Sequence, residues 1–289
     1  MVAPSPSSSA SVAGHYDRLD RFYRRLWGRH VHHGLWTDPG FSPEEAVRHL
    51  VRRVARAARI TEGRRVCDVG CGYGAPARQW AETRGAEVVG FTVSEAQHTL
   101  AEQQPVDGPT PEYRLQDFLS NSLPNDSVDA VVAIESLTHI RDQPAVLREA
   151  SRVLRPGRRF VACVWMAPSS PSWGAHRYLL GPICEEGRLS GLPAAPDLRR
   201  WAMQAGLRVE QLRDVTARVR RTWTTVIGRF LGALFTDSAV LRTLLDRSEP
   251  DRVFARTILR IWIAQHTGAL RYGWFVAKQP GAENDGPEG

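Results

Sequence analysis

A chain of 289 residues with 42% hydrophobic and 24% charged residues can bury one sizeable core, which excludes disorder of the whole chain. The formal net charge of +7 invites a nucleic-acid partner, yet all but one of the 38 basic residues are arginine. They are scattered through helix-like stretches beside acids with no basic arm, so no nucleic-acid partner is expected.

Cys67, Cys71, Cys163 and Cys184 lack metal-ligand spacing, and the first two suit small buried thiols. No apolar run reaches transmembrane length, and the Ser- and Pro-rich start lacks the pattern of a signal peptide. The expectation is a cytoplasmic chain, monomer or homodimer, without stable membrane insertion.

Residues 1–12 and 279–289 read as a disordered lead and tail around a single domain. A helical pattern spans 17–27. A second spans 43–58, with Ser42 as its N-cap and Glu44 and Glu45 in its first turn. A short apolar run then ends in a glycine cluster at 65–74. Helix 75–83, strand 87–91, helix 95–104 and strand 112–115 follow, then strand 128–134 and helix 143–153. Pro156 and Gly157 form a turn that launches strand 160–165. Five strands in short apolar runs, interleaved with helices, imply an α/β fold with a doubly wound, mostly parallel sheet.

Helix 195–205 precedes a strand at 208–213, and a last strand is expected at 269–277, giving seven. The roughly fifty residues between these two strands carry Trp223, Ile227, Phe230, Leu234, Ile258, Trp262 and Ile263 at helical spacing. Such a stretch is an insertion rather than a crossover. With segments 13–40 and 168–194, residues 216–266 are expected to form a helical cap above the ligand-binding edge.

Residues 66–74 read VCDVGCGYG. A buried strand turns there into a helix through Gly70, Gly72 and Gly74, which tolerate positive φ and let a ligand approach the backbone. Taken alone, that spacing suits a dinucleotide fold equally well. Three neighbours shift the reading. Asp68 lies where a carboxylate can bond the ammonium of a bound amino acid, but would repel a pyrophosphate. Thr92 ends the next strand, where a dehydrogenase carries its ribose acid. After the third strand, Asp117 offers an acceptor for an adenine amine, and Phe118 an aromatic face beside it.

VCDVGCGYG, FTVSEAQ at 91–97, QDF at 116–118 and LPNDSVDAVVAIESLTHI at 123–140 resemble the consecutive motifs of class I methyltransferases. FTVSEAQ is similar to the G-I/V-T-L/I-S-x-x-Q segment of tocopherol C-methyltransferases and related natural-product enzymes. FYRRLWGRHVHHGLWTDPG at 22–40 resembles that group's W-G-x-H-x-H-H-G-F/Y segment, and TWTTVI at 222–227 a related Trp-containing stretch. The likeness covers nearly all of the ordered chain, dense over 15–165 and loose after it.

The resemblance implies S-adenosyl-L-methionine as cofactor. Asp68, Gly70 and Gly72 would hold its methionine end, Thr92 and Gln97 its ribose, Asp117 and Phe118 its adenine, and Glu135 would close the site. A threonine hydroxyl makes only part of the contact an acid gives to ribose, so either Gln97 compensates or affinity is modest. Tyr16 matches a tyrosine that relatives fold over the cofactor, and simple packing accounts for it as well. By the same resemblance His33 with Trp36 would line the cofactor entrance, while His30 and His32 read as structural. No Cys or carboxylate cluster joins these histidines to make a metal site.

Methyl transfer from a sulfonium is an in-line displacement that needs alignment and removal of the acceptor's proton. His139, at the mouth of the fourth strand, is the candidate base. Many relatives carry two adjacent histidines there, whereas this chain has Thr138 and His139. Catalysis then rests on His139 or on positioning alone, and a packing histidine is the plain alternative. Trp173, Trp223 and Trp262, with Phe230, form either a substrate wall or the cap's own core. Glu185 and Glu186 either anchor a cationic acceptor or face solvent.

The expected activity is methyl transfer to carbon or oxygen of a hydrophobic small molecule such as a secondary metabolite. The alternatives are a non-methylating cyclisation on the same fold and, further off, nucleic-acid methylation, whose N-P-P-Y/F segment is replaced here by ESLTH.

Overall fold

The structure, a computed structural model, describes residues 32–236 and 252–281. Tyr16, His30, the lead at 1–12 and the helix expected over 17–27 lie outside the described residues, as does the tail from 282.

Helix α1 (Pro43–Ala57) starts at a reciprocal cap. Ser42 Oγ accepts from the Glu45 N–H at 3.2 Å, and Glu45 Oε2 accepts from the Ser42 N–H at 2.8 Å. Two otherwise unpaired N–H groups are satisfied at once. Its buried stripe of Leu50, Val51 and Val54 meets Trp80, whose indole N–H donates to Val51 O at 3.2 Å. Burying a ring of that size is worth about 3 kcal/mol or more.

The remaining elements are β1 (Arg65–Val69), α2 (Ala75–Arg84), β2 (Glu87–Thr92), α3 (Glu95–Glu102), β3 (Glu112–Leu115), β4 (Val128–Ile134), α4 (Gln143–Val153), β5 (Leu154–Met166), α5 (residues 173–186), α6 (Ala195–Gln204), β6 (Arg208–Asp214), α7 (Arg221–Thr236), α8 (Arg252–His266) and β7 (Arg271–Lys278). The strands make one seven-stranded sheet in the order β3-β2-β1-β4-β5-β7-β6. β1 to β5 pair in parallel, and β7 runs antiparallel to both of its neighbours. The sheet is thus the doubly wound, mostly parallel one expected from the sequence.

One expected boundary moves. The turn at Pro156 and Gly157 is a bulge inside β5, where pairing skips from Val128–Leu154 to Ala130–Arg159 and Gly157 takes φ 76°. The bulge stays bonded, with Gly157 N–H donating to Gln279 O at 2.9 Å and Gln279 N–H to Arg158 O at 2.8 Å. A bulge keeps strand direction while absorbing extra residues, so the turn signal did not end the strand.

Apolar clusters cover both faces of the sheet, one around Phe91, Phe160 and Phe275, the other around Leu50, Trp80 and Tyr272. A third cluster joins Leu180 and Ile183 of α5, Trp223 and Val226 of α7, and Ile258 and Ile261 of α8. These helices pack on one another and are called the cap below.

At the foot of the sheet, Asp129 bonds Arg64 at 2.9 Å, Arg155 at 2.8 Å and the Arg65 N–H at 3.1 Å. Burial pushes its carboxyl up, but these donors outweigh burial and hold it below the usual range. The sheet order reverses between β1 and β4, so a crevice opens at the opposite, C-terminal edge of these two strands.

Candidate active site

The loop after β1 lines that crevice. Gly70 and Gly72 sit at φ 72° and 56°, a region that side-chain-bearing residues rarely adopt. Their surroundings differ. A Cβ on Gly70 would stand 2.4 Å from Ser136 Cβ, so this glycine lets the loop pack on the residue after Glu135. A Cβ on Gly72 would meet nothing within 4 Å. Gly70 is required by the protein's own packing, and Gly72 fronts open space.

Beside them, Asp68 is 2% exposed and its Oδ2 has no hydrogen-bond partner among the described residues. Burial alone pushes its carboxyl up to about 7. A buried carboxylate oxygen without a donor is costly, and an ammonium placed there would supply both charge and hydrogen bonds. The donor set therefore fits the amino-acid end of a cofactor.

At the end of β2, the Thr92 hydroxyl donates to Gln97 Oε1 at 2.8 Å and accepts from the Ser94 N–H at 3.2 Å. Its hydrogen-bonding capacity is largely used. Its effect is to orient the Gln97 amide. Asp117 accepts from the Leu119 N–H at 2.9 Å through Oδ1, leaving Oδ2 for an adenine amine. Phe118 does not supply the aromatic face expected beside it. Its ring is 3% exposed and packs edge-on against Phe91 in the core, because the turn capped by Asp117 swings the side chain inward.

Glu135 and His33 also differ from expectation. Glu135 Oε1 accepts from the His33 N–H at 2.7 Å and the Tyr272 hydroxyl at 2.8 Å, and Oε2 accepts from the Trp165 indole at 3.1 Å. His33 Nδ1 lies 3.0 Å from both oxygens. Burial opposes ionisation of Glu135, but the donors converging on it, the His33 N–H groups among them, hold its carboxyl below the usual range. On its far side, His33 Nε2 receives the Trp223 indole N–H at 2.6 Å and the Gln265 amide at 3.1 Å. Both carboxylate oxygens of Glu135 and both ring nitrogens of His33 are thus engaged by groups of the protein itself. Together they join the N-terminal segment, β4, β5, β7 and the cap.

His139 lies in the turn after β4 and is partly buried. Burial lowers its pKa to about 4, only partly offset by a backbone bond at Arg188 and the charge of Glu135, so the imidazole is neutral at physiological pH. Its turn is fixed from outside, as Ser190 N–H donates to Thr138 O at 2.7 Å and Ser190 Oγ to His139 O at 3.0 Å.

The cap aromatics divide. Trp223 is buried in the cap core, and Trp262 is partly buried against it, its indole donating to Thr224 Oγ1 at 3.2 Å. Trp173 is 74% exposed and meets Tyr178 edge-on, so it forms no enclosed wall. Glu186 bonds Thr257 at 2.5 Å and pairs with Arg260, tying α5 to α8, and Glu185 faces solvent. Among the described residues, no three His, Cys, Asp or Glu side chains gather as metal ligands, and no helix is long and apolar enough to cross a membrane.

Ser136, Tyr272 and Gln265 belong to the site's frame and went unmarked in the sequence. Ser136 stood next to Glu135 in ESLTH and could have been suspected. Tyr272 and Gln265 reach the site only through the return of β7 and the crossing of α8, which no local pattern reveals.

Fold and site together define a protein that takes an adenosine-bearing amino-acid cofactor at the switch point of a doubly wound sheet. A methyltransferase-domain family model matches residues 67–162. The 27-O-demethylrifamycin SV methyltransferase of Amycolatopsis mediterranei (strain S699) is 32% identical over 241 residues, covering 80% of this chain and 85% of that protein. A probable chloroplastic tocopherol O-methyltransferase of Oryza sativa subsp. japonica is 28% identical, covering 77% of this chain and 66% of that protein. The crystal structure of the cyclase SpnF superposes with a TM-score of 0.80 at 24% identity, covering 96% and 98% of the two chains, and shares the fold. The chain belongs to the class I S-adenosylmethionine-dependent methyltransferases of small molecules.

Proposed function

We propose that this chain methylates a hydroxyl oxygen of an apolar natural-product molecule, with Asp68 holding the ammonium end of the cofactor. The buried Asp68 Oδ2, without a donor among the described residues, carries the reading, because an ammonium placed there would satisfy it. Oxygen as acceptor is favoured by the relatives, whose names describe O-methylation. The shared fold of SpnF favours neither methyl transfer nor cyclisation.

When bound, S-adenosylmethionine supplies an electrophilic methyl group on a sulfonium and departs as S-adenosylhomocysteine. The chain's own residues align the partners. Asp68 would hold the ammonium end, Gln97 Nε2 would donate to the ribose, and Asp117 Oδ2 would accept from the adenine amine. His139, neutral and beside the crevice, would take the proton of the acceptor hydroxyl. A proton acceptor of low pKa gives little driving force, so alignment carries much of the rate.

His139→Ala is expected to lower kcat about 100-fold while leaving the Kd for S-adenosylhomocysteine unchanged. Full turnover in that variant removes His139 from the mechanism. The function itself is tested with a panel of apolar hydroxylated compounds, 27-O-demethylrifamycin SV and tocopherols among them, by mass spectrometry. Transfer of one methyl group to a hydroxyl supports the reading, and methylation only at carbon contradicts it.

A further inference from the structure

We infer that His33 and Glu135 form a positioning latch that couples docking of the cap to the cofactor loop, and that it works only with a neutral His33 protonated at Nδ1. The inference rests on the cofactor reading above and goes beyond it, since it assigns these two residues to contacts within the protein.

The tautomer follows from geometry. An indole N–H can only donate, so Trp223 Nε1 at 2.6 Å requires a bare lone pair on His33 Nε2. The Gln265 amide at 3.1 Å donates to the same atom. The ring proton then lies on Nδ1, facing the two carboxylate oxygens of Glu135 at 3.0 Å. A proton on Nε2 would oppose two N–H donors inside a site where the His33 and Glu135 side chains are 2% and 12% exposed. In such low-dielectric surroundings an opposed donor pair is expensive.

The latch reaches the cofactor loop through one residue. Glu135 takes φ 59°, an uncommon conformation for a side-chain-bearing residue, and one held only where surroundings over-determine it. Here four donor groups do so. That backbone sets the direction of Ser136, whose hydroxyl donates to Val69 O and whose Cβ fills the space that Gly70 leaves open. At the other end, Trp223 belongs to α7 and Gln265 to α8. A contiguous set of packed and bonded groups thus runs from loop 70–74 to the cap helices, which is the physical form that coupling between two sites requires.

Hydrogen exchange on the full chain, with and without saturating S-adenosylhomocysteine, tests it. In the unaltered protein the ligand is expected to slow exchange in α7 and α8 about tenfold or more. In Trp223→Phe, and independently in Glu135→Gln, the ligand still binds with Kd within about threefold, but the slowing falls below about twofold. A hub with a purely structural role speeds exchange by the same factor with and without ligand, and that result overturns the proposal. Failure of the unaltered protein to bind S-adenosylhomocysteine overturns the cofactor reading instead. Nitrogen-15 spectra of labelled histidine, assigned with His33→Asn, must show the Nδ1–H form. A ring protonated at Nε2 contradicts the latch whatever the exchange data show.

Discussion

Replacing Gly72 with valine is expected to abolish cofactor binding, with the Kd for S-adenosylhomocysteine rising about 100-fold or more in calorimetry while the fold survives. Two costs add. A β-branched residue at φ 56° is strained by about 1–3 kcal/mol. Its side chain also enters the space that is empty within 4 Å of the built Cβ, where the cofactor must approach the backbone. Among the described residues no atom lies within 4 Å of a Cβ there, so near-UV circular dichroism is expected to stay as it is. Gly70→Ala should behave differently. Its Cβ would lie 2.4 Å from Ser136 Cβ, so stability falls together with binding. Unchanged affinity in Gly72→Val would contradict the assignment of this loop.

Asp68→Asn is expected to weaken binding of S-adenosylhomocysteine about 30-fold or more, because a charge-assisted pair with the ammonium becomes a neutral contact. The same variant should be more stable than the unaltered protein without ligand at pH 8. The sign follows from the raised carboxyl, about 7 in the folded protein against an ordinary value of 3.8. A raised folded-state value means the native form holds more protons than the unfolded chain between those two values. Stability from this group is therefore present below about pH 4 and is lost as pH rises through 7. Asparagine carries no such penalty, so its advantage is full at pH 8 and gone by pH 4, as thermal melts at both pH values would show.

Binding runs the other way. The ammonium favours the ionised carboxylate, so cofactor affinity in the unaltered protein rises with pH up to about 7 and then levels off. His139, at about 4, titrates well below this range, so kcat at saturating cofactor should stay flat across it.

The sheet and the glycine loop were legible in the sequence because local chemistry fixes them. Strands β3 and β4 and helix α4 lie on the residues their apolar runs mark, and Asp68 stands beside loop 70–74 in sequence as in space. The side-chain directions were not legible. Phe118 follows Asp117 by one position, but a capped turn aims the two apart. Glu135 and His33 carry the residue types of a ligand site, yet donors from β5, β7, α7 and α8 consume them. Trp173 carries the same residue type as the buried Trp223, and only the placement of α5 leaves it in solvent. Periodicity reports that a residue faces something. Which partner it meets depends on contacts between distant segments.

The most direct measurement uses S-adenosylmethionine labelled in its methyl group, incubated with the enzyme and an extract of apolar metabolites. The products are then read by mass spectrometry alongside the S-adenosylhomocysteine formed. The account predicts a labelled methyl on one hydroxyl-bearing small molecule, with one S-adenosylhomocysteine released per product. A metabolite that changes while the cofactor remains unconsumed would contradict it.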